Sequence, residues 1–404
     1  MIKRLRTLFA MSGVLCAAAV TASAQTTQAP PPTSLKGLLL DISVKSGVPP
    51  QLGEQVVTFG AIMGLEVSTA PLGTSTGGFT YTFDKQLQTF TRSSTSFGPT
   101  FAERSLTAGK GKFSIGFNWL HSGYNSLAGQ DLTNGDFRPT RNATVIGNPA
   151  SYSVGKFDVS SDTVVGLATV GITERLDVGI GIPWVRISMS ADESNFTASN
   201  IDLFQGHHLG FGTTTATGVG DVAIFGKYHI WRHNDGGIAG ELTVRLPTGD
   251  TDNLQGIGVT RTMVSGIWSQ RLGKISPHVN LGYEFWSADV PLAPSRNVSA
   301  KDQFEYAFGV EFAVHPRATA NVDVVGRRLL NGGQIGYTKL DFGAGQSVEA
   351  LLGLPEGLNV VSLAPGIKWN IWRSALITGN VLASLANNGL RANLTPVLGI
   401  EWAF

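Results

Sequence analysis

The sequence predicts an all-β fold: a transmembrane antiparallel β-barrel of twelve strands, preceded by an N-terminal plug-like segment. Three observations carry this reading. Residues 394–404 (LTPVLGIEWAF) place Leu394, Pro396, Leu398, Ile400, Trp402 and Phe404 on one face of an extended strand and small or polar residues on the other. That is the length of a tilted strand crossing a bilayer, about 9–11 residues. Similar alternation returns again and again between residue 112 and the end, and the connections between these stretches are short and long by turns, as in barrels with tight periplasmic turns and longer outer loops.

The chain opens with Lys3, Arg4 and Arg6, an apolar run over 8–20, and Ala22-Ser23-Ala24. A charged start, a short apolar stretch and an A-x-A site mark residues 1–24 as a secretory signal peptide. Cys16, the single cysteine, lies inside it after Leu15, which is not the small residue that a lipidation site places there. The mature chain therefore has no thiol and no disulfide. Of 30 Lys and Arg, three leave with the signal, so 27 face 29 acidic residues. A charge near −2 gives no support for nucleic-acid binding. Beyond the signal no stretch reaches the ~18 consecutive apolar residues of a membrane helix. With 50 glycines and only 15% charged residues, the exported chain reads as a large antiparallel β structure.

Residues 25–111 differ from the rest of the mature chain. Pro30, Pro31 and Pro32 form an extended lead, and 34–57 has apolar clusters that suit a short helix. Residues 77–92 (GGFTYTFDKQLQTFTR) read as a β-hairpin with Phe79, Tyr81 and Phe83 on one face and arms too short to cross a membrane. The region is read as a plug in or under a pore, with a disordered periplasmic leader or an extra pair of barrel strands as alternatives.

From 112 onward come twelve alternating segments: 112–121, 161–172, 176–189, 218–231, 238–247, 259–270, 275–286, 302–314, 318–329, 358–371, 375–386 and 393–404. In 303–314, Phe304, Tyr306, Phe308, Val310, Phe312 and Val314 oppose Gln303, Glu305, Gly309 and Glu311. In 275–286, Ile275, Pro277, Val279, Leu281, Tyr283 and Phe285 oppose Ser276, His278, Asn280, Gly282 and Glu284. Size decides which face is inside. Around eight strands the interior is already just filled by side chains, so twelve with inward aromatics would pack poorly, whereas an outward apolar band suits lipid. The connections agree. Tight turns at 173–175, 271–274, 315–317 and 372–374, and a slightly longer one at 231–237, alternate with long connections at 122–160, 190–217, 287–301 and 331–357 and shorter ones at 248–258 and 387–392.

Several stretches resemble the bacterial outer-membrane transporter-like β-barrel family called Putative MetA-pathway of phenol degradation. They are 97–119 (FGPTFAERSLTAGKGKFSIGFNW), 171–184 (GITERLDVGIGIPW), 218–228 (GVGDVAIFGKY), 245–250 (RLPTGD) and 280–283 (NLGY). The resemblance covers most of 97–404 and implies an outer-membrane β-barrel that moves small hydrophobic, often aromatic, compounds; twelve strands are few for the 22-stranded energised class, so uptake is expected to be passive. A structural or adhesive barrel without transport is the alternative. The terminal Trp402 and Phe404 resemble the signal read by the barrel assembly machinery, so the expected partners are that machinery, outer-membrane lipid and small hydrophobic solutes.

The polar strand faces place Lys227, His229, Glu241, Arg245, His278, Glu284, Glu305, Glu311, Asp323, Arg327, Lys368 and Glu401 toward the lumen. They suit either a polar pore that guides a solute or an ion-paired interior that supports the wall and contacts the plug; mixed signs argue against strong ion selectivity. No metal or cofactor is indicated. The 245–250 stretch with Asp252 and Asn253 fails the spacing of an EF-hand loop and reads as a turn. Residues 218–221 read as strand entry, since no helix follows to make a phosphate site. An embedded hydrolase would need a Ser and a His on the same face, but the adjacent His121 and Ser122 point to opposite faces, so no enzyme is expected.

Overall fold

A computed structural model describes residues 34–39, 53–69, 73, 78–84, 89–92, 94, 96–135, 137–145, 148–196, 208–343 and 345–404. The predicted signal peptide and proline lead lie outside these residues. No described helix is long and apolar enough to cross a membrane.

Twelve strands close an antiparallel barrel. They are β1 (Phe113–Tyr124), β2 (Asn148–Gly171), β3 (Leu176–Phe196), a two-piece β4 (His208–Val219 and Ala223–His233), β5 (Gly236–Arg245) and β6 (Arg261–Ser269). Then follow β7 (Ile275–Trp286), β8 (Val298–His315), β9 (Ala318–Gly343), β10 (Gln346–Trp372), β11 (Ala375–Ser384) and β12 (Leu394–Ala403). Each pairs with the next, and β12 pairs back with β1, Ile400 opposite Phe117. The alternation becomes a two-sided wall: on β4, Ile224, Tyr228 and Ile230 are exposed while Phe225, Lys227 and His229 are buried. Trp231, Trp268, Trp369, Trp372 and Phe404 stand exposed near the short-turn end, an aromatic girdle of the kind that marks a membrane interface.

Three long connections differ from expectation. The stretch 331–357 is mostly strand: β9 and β10 stay paired up to Gly343 and Gln346. The stretch 190–217 is largely the upper part of the β3–β4 hairpin, and 122–160 holds a strand Thr140–Val145 that bridges β2 and β10. Above the bilayer a strand has no lipid to face, so the apolar alternation fades while backbone pairing continues. The 218–221 stretch ends the first piece of β4 at Val219 and enters the break before Ala223, rather than starting the strand.

The seam between β1 and β12 is closed at its base by the terminal residue. Phe404 N–H donates to the Phe113 carbonyl at 2.7 Å, Phe113 N–H donates back at 3.2 Å, and the two rings stack at 6.2 Å. Deleting Phe404 removes both bonds and the ring. It should lower the fraction of heat-modifiable, folded protein in the outer membrane while export continues; undiminished folded protein would show that the seam closes without it.

The described residues of 53–69 share a core with residues of the wall. Helix α1 (Gly53–Ser68) is apolar over most of its surface and mostly buried, with Val57 exposed. Val56, Phe59, Ile62, Met63 and Leu65 share one core with Tyr124, Val185, Ile187, Leu292 and Leu358. The short helix expected within 34–57 is found at 35–39, and α1 begins inside the same stretch at Gly53. The Tyr81–Asp84 and Thr89–Arg92 strands form a hairpin. Phe79 is buried edge-on against Phe97 at 5.5 Å, Tyr81 is half-buried, and the side chain of Phe83 lies outside the described residues.

Candidate functional site

The twelve polar residues read from the strand faces are all withdrawn from the exposed surface. Ten are buried, and Glu305 and Glu401 are half-buried. A charge held out of water needs a partner or dense hydrogen bonding, and the wall and the N-terminal residues supply these together. At the short-turn end, backbone N–H groups of Gly78, Phe97, Ser105 and Ala108 are satisfied by wall side chains. Phe97 N–H donates to Thr319 Oγ1 at 3.0 Å, Ser105 N–H to Ser269 Oγ at 2.9 Å, Ala108 N–H to Asp177 Oδ2 at 2.8 Å, and Gly78 N–H to Glu401. Lys227, fully buried, pairs with Glu103 at 2.9 Å and donates to the Arg104 carbonyl. Polar wall residues thereby do for a non-helical segment what a ladder does for a strand.

Higher up the wall, neighbouring strands build a charge network. Arg261 Nη2 lies 3.3 Å from Asp221 and Nη1 lies 3.7 Å from Glu284, while Arg245 Nε lies 3.8 Å from the same carboxylate. Gln303 Nε2 donates to both Glu284 (3.0 Å) and Glu305 (2.7 Å). Asp221 stands at the β4 break, and that break is held by the turn after β5. Thr248 Oγ1 accepts from Val222 N–H and donates to the Gly220 carbonyl, and Gly249 N–H donates to Asp221 Oδ1. The two short stretches 218–228 and 245–250 therefore meet in space. Asp250 caps its own turn, accepting from Asp252 N–H at 2.8 Å. Elsewhere on the wall His278 Nε2 lies 2.8 Å from Asp323 Oδ1, with Glu311 4.0 Å from the other ring nitrogen. His121 pairs with Asp162, whereas Ser122 pairs with Thr395.

Sequence reading missed the partners that come from outside the strand faces it considered. Glu66, in the last turn of α1, meets Arg327 at 2.6 Å and Arg391 at 2.9 Å. Burial pushes its carboxyl up, but the two guanidiniums outweigh this and hold it below the usual range. Arg261 was legible in principle, since it falls on the inner face of β6 opposite Arg245; Glu66 was not, because helix α1 has no polar stripe to single it out.

Between the α1 end and the 96–108 segment lies a chamber of about 250 Å³. Glu66, Val67 and Thr69 bound it on one side, and Phe101 and Glu103 on the other. Its walls mix apolar groups (Leu120, Tyr124, Phe225, Val325) with Glu241, Arg245, Glu305, Arg327 and Arg391. Apolar walls with a few convergent polar groups are the usual makeup of a small-molecule site.

Comparison with known proteins places this chain among others of its kind. The family described as Putative MetA-pathway of phenol degradation matches residues 133–345. No curated protein is detectably similar in sequence. Among solved structures, the COG4313 outer membrane channel from Pseudomonas putida F1 is similar at 13% identity and a TM-score of 0.48, covering 74% of this chain and 98% of that one. The P. putida toluene transporter TodX is similar at 9% identity and 0.34, covering 73% and 89%. The CymD monoaromatic hydrocarbon channel is similar at 10% and 0.35, covering 73% and 88%.

Proposed function

The chain belongs to the Putative MetA-pathway of phenol degradation family, and from that membership we propose that it is an outer-membrane channel for passive uptake of small hydrophobic, often aromatic, compounds. The observation that supports this best is the chamber. Its volume of about 250 Å³ exceeds that of an apolar cavity of roughly 150 Å³ known to take benzene. Its apolar walls suit a ring, and its charged residues suit a polar substituent. The N-terminal segment acts as a plug, with α1 closing the outer half and residues 78–111 the periplasmic half. The lumen-facing charges hold that plug and guide the solute past it. Trp402 and Phe404 present the strand that the barrel assembly machinery takes up. The residues at the chamber serve passage rather than catalysis.

Uptake tests this directly. In cells stripped of their own porins, expressing the chain should speed entry of a radiolabelled monocyclic aromatic at low concentration severalfold over cells with an empty vector. A purely structural or adhesive barrel would leave the two rates equal, and that result would overturn the proposal.

A further inference from the structure

The chamber's charges have a directional arrangement that bears on its solute. Glu66 is the only carboxylate of α1 that lines it, and it bridges two guanidiniums from different parts of the wall: Arg327 on β9 and Arg391 in the β11–β12 connection. Both arginines are more than nine-tenths buried, with side-chain exposures of 9% and 3%. Between them, Arg327 Nη1 and Arg391 Nε and Nη2 have no hydrogen-bond partner among the described residues. Each guanidinium offers five N–H donors in a fixed fork that matches a carboxylate, so the pair holds more donors than the one carboxylate of Glu66 uses. The same chamber is lined by the apolar groups of Tyr124, Val325 and Leu382.

We propose that the preferred solute is an aromatic carboxylate that takes the place of Glu66 on Arg327 and Arg391, so that binding itself releases the end of α1. This rests on the proposed channel function and specifies its substrate class. Displacement, rather than simple addition, follows from the charge already present. Glu103, Glu241 and Glu305 line the same chamber as Glu66, so a further anion would meet four carboxylates. One carboxylate exchanged for another leaves the arginines matched. The apolar ring then occupies the chamber while the freed Glu66 and its helix end move off the path. A neutral ring of equal size has nothing to offer the arginines and leaves the ion pair closed.

Titration calorimetry on the full-length, detergent-solubilised protein separates these cases, with benzoate and benzamide as probes. Benzoate should bind at least about tenfold more tightly than benzamide, the effect of a hydrogen bond to a charged group. Glu66→Gln, which removes the internal competitor, should tighten benzoate binding further, while Arg391→Gln should weaken it by roughly the same tenfold factor. Hydrogen exchange in residues 53–69 should rise with benzoate and not with benzamide, a readout that needs no variant to fold. Equal affinity for the two probes, or weaker benzoate binding in Glu66→Gln, overturns the exchange while leaving an aromatic channel intact. Uptake that the chain does not accelerate for any aromatic removes the channel function itself.

Discussion

Phe308→Arg should destabilise the folded barrel by roughly 2–4 kcal/mol in lipid, the cost of an arginine facing the bilayer midplane on a barrel strand. Phe308 is 42% exposed and its ladder partners are Val279 on β7 and Val324 on β9. Tyr306 stacks beside it at 5.4 Å, and along the same face the strand runs on to exposed Val314, so the site lies inside an apolar band and not at its rim. An arginine there must either leave its guanidinium in hydrocarbon or distort the wall to reach an interface. Glu311→Gln, three residues along and on the other face, should cost much less. Glu311 is fully buried and neither of its carboxylate oxygens has a hydrogen-bond partner among the described residues, so a neutral side chain of the same shape loses little. Denaturant unfolding in lipid vesicles gives both values, and equal losses for the two would mean the faces are reversed.

The contrast between Phe308 and Glu311 also shows what was legible in the sequence. Within the bilayer every second residue must satisfy lipid, so the period of two is enforced strongly enough to read strand, face and count for β7, β8 and β9 without a structure. Outside the bilayer that pressure ends. The upper part of β9 still pairs with β10 at Tyr337 and Leu351, yet inner and outer sides both meet protein or water, and the stretch reads as loop. The site was legible by halves for a related reason. Arg245, Arg327 and Glu305 follow from strand parity. Glu66 does not, because its partner Arg327 is 261 residues away and such a contact leaves no local pattern. The residues that close the chamber come from the part of the chain with no period at all.

Removing those residues should open the path. A variant lacking residues 25–95 should conduct small solutes indiscriminately in planar or liposome assays, at rates well above those of the full chain, and should lose any preference for aromatic over polar solutes of similar size. The removed stretch includes α1, whose Val56, Phe59, Ile62, Met63 and Leu65 are all buried against the inside of the wall, together with Glu66 and its two ion pairs. Burial of those side chains is favourable at roughly 25 cal/mol per Å² of apolar surface, so α1 has reason to stay seated when no solute is present, and the path stays closed. The strands themselves do not depend on it: each barrel strand pairs with its two neighbours, and residues 96–111 remain to satisfy Thr319, Ser269 and Asp177 at the short-turn end. The variant should therefore still show the heat-modifiable mobility of a folded barrel, and that check must accompany the conductance. Loss of selectivity follows because Arg327 and Arg391, deprived of Glu66, would face a wider passage in which solvent screens their charge more strongly than in the narrower chamber. If the folded variant conducts and discriminates like the full chain, residues 25–95 do not gate the pore, and the path for solute runs somewhere α1 does not block.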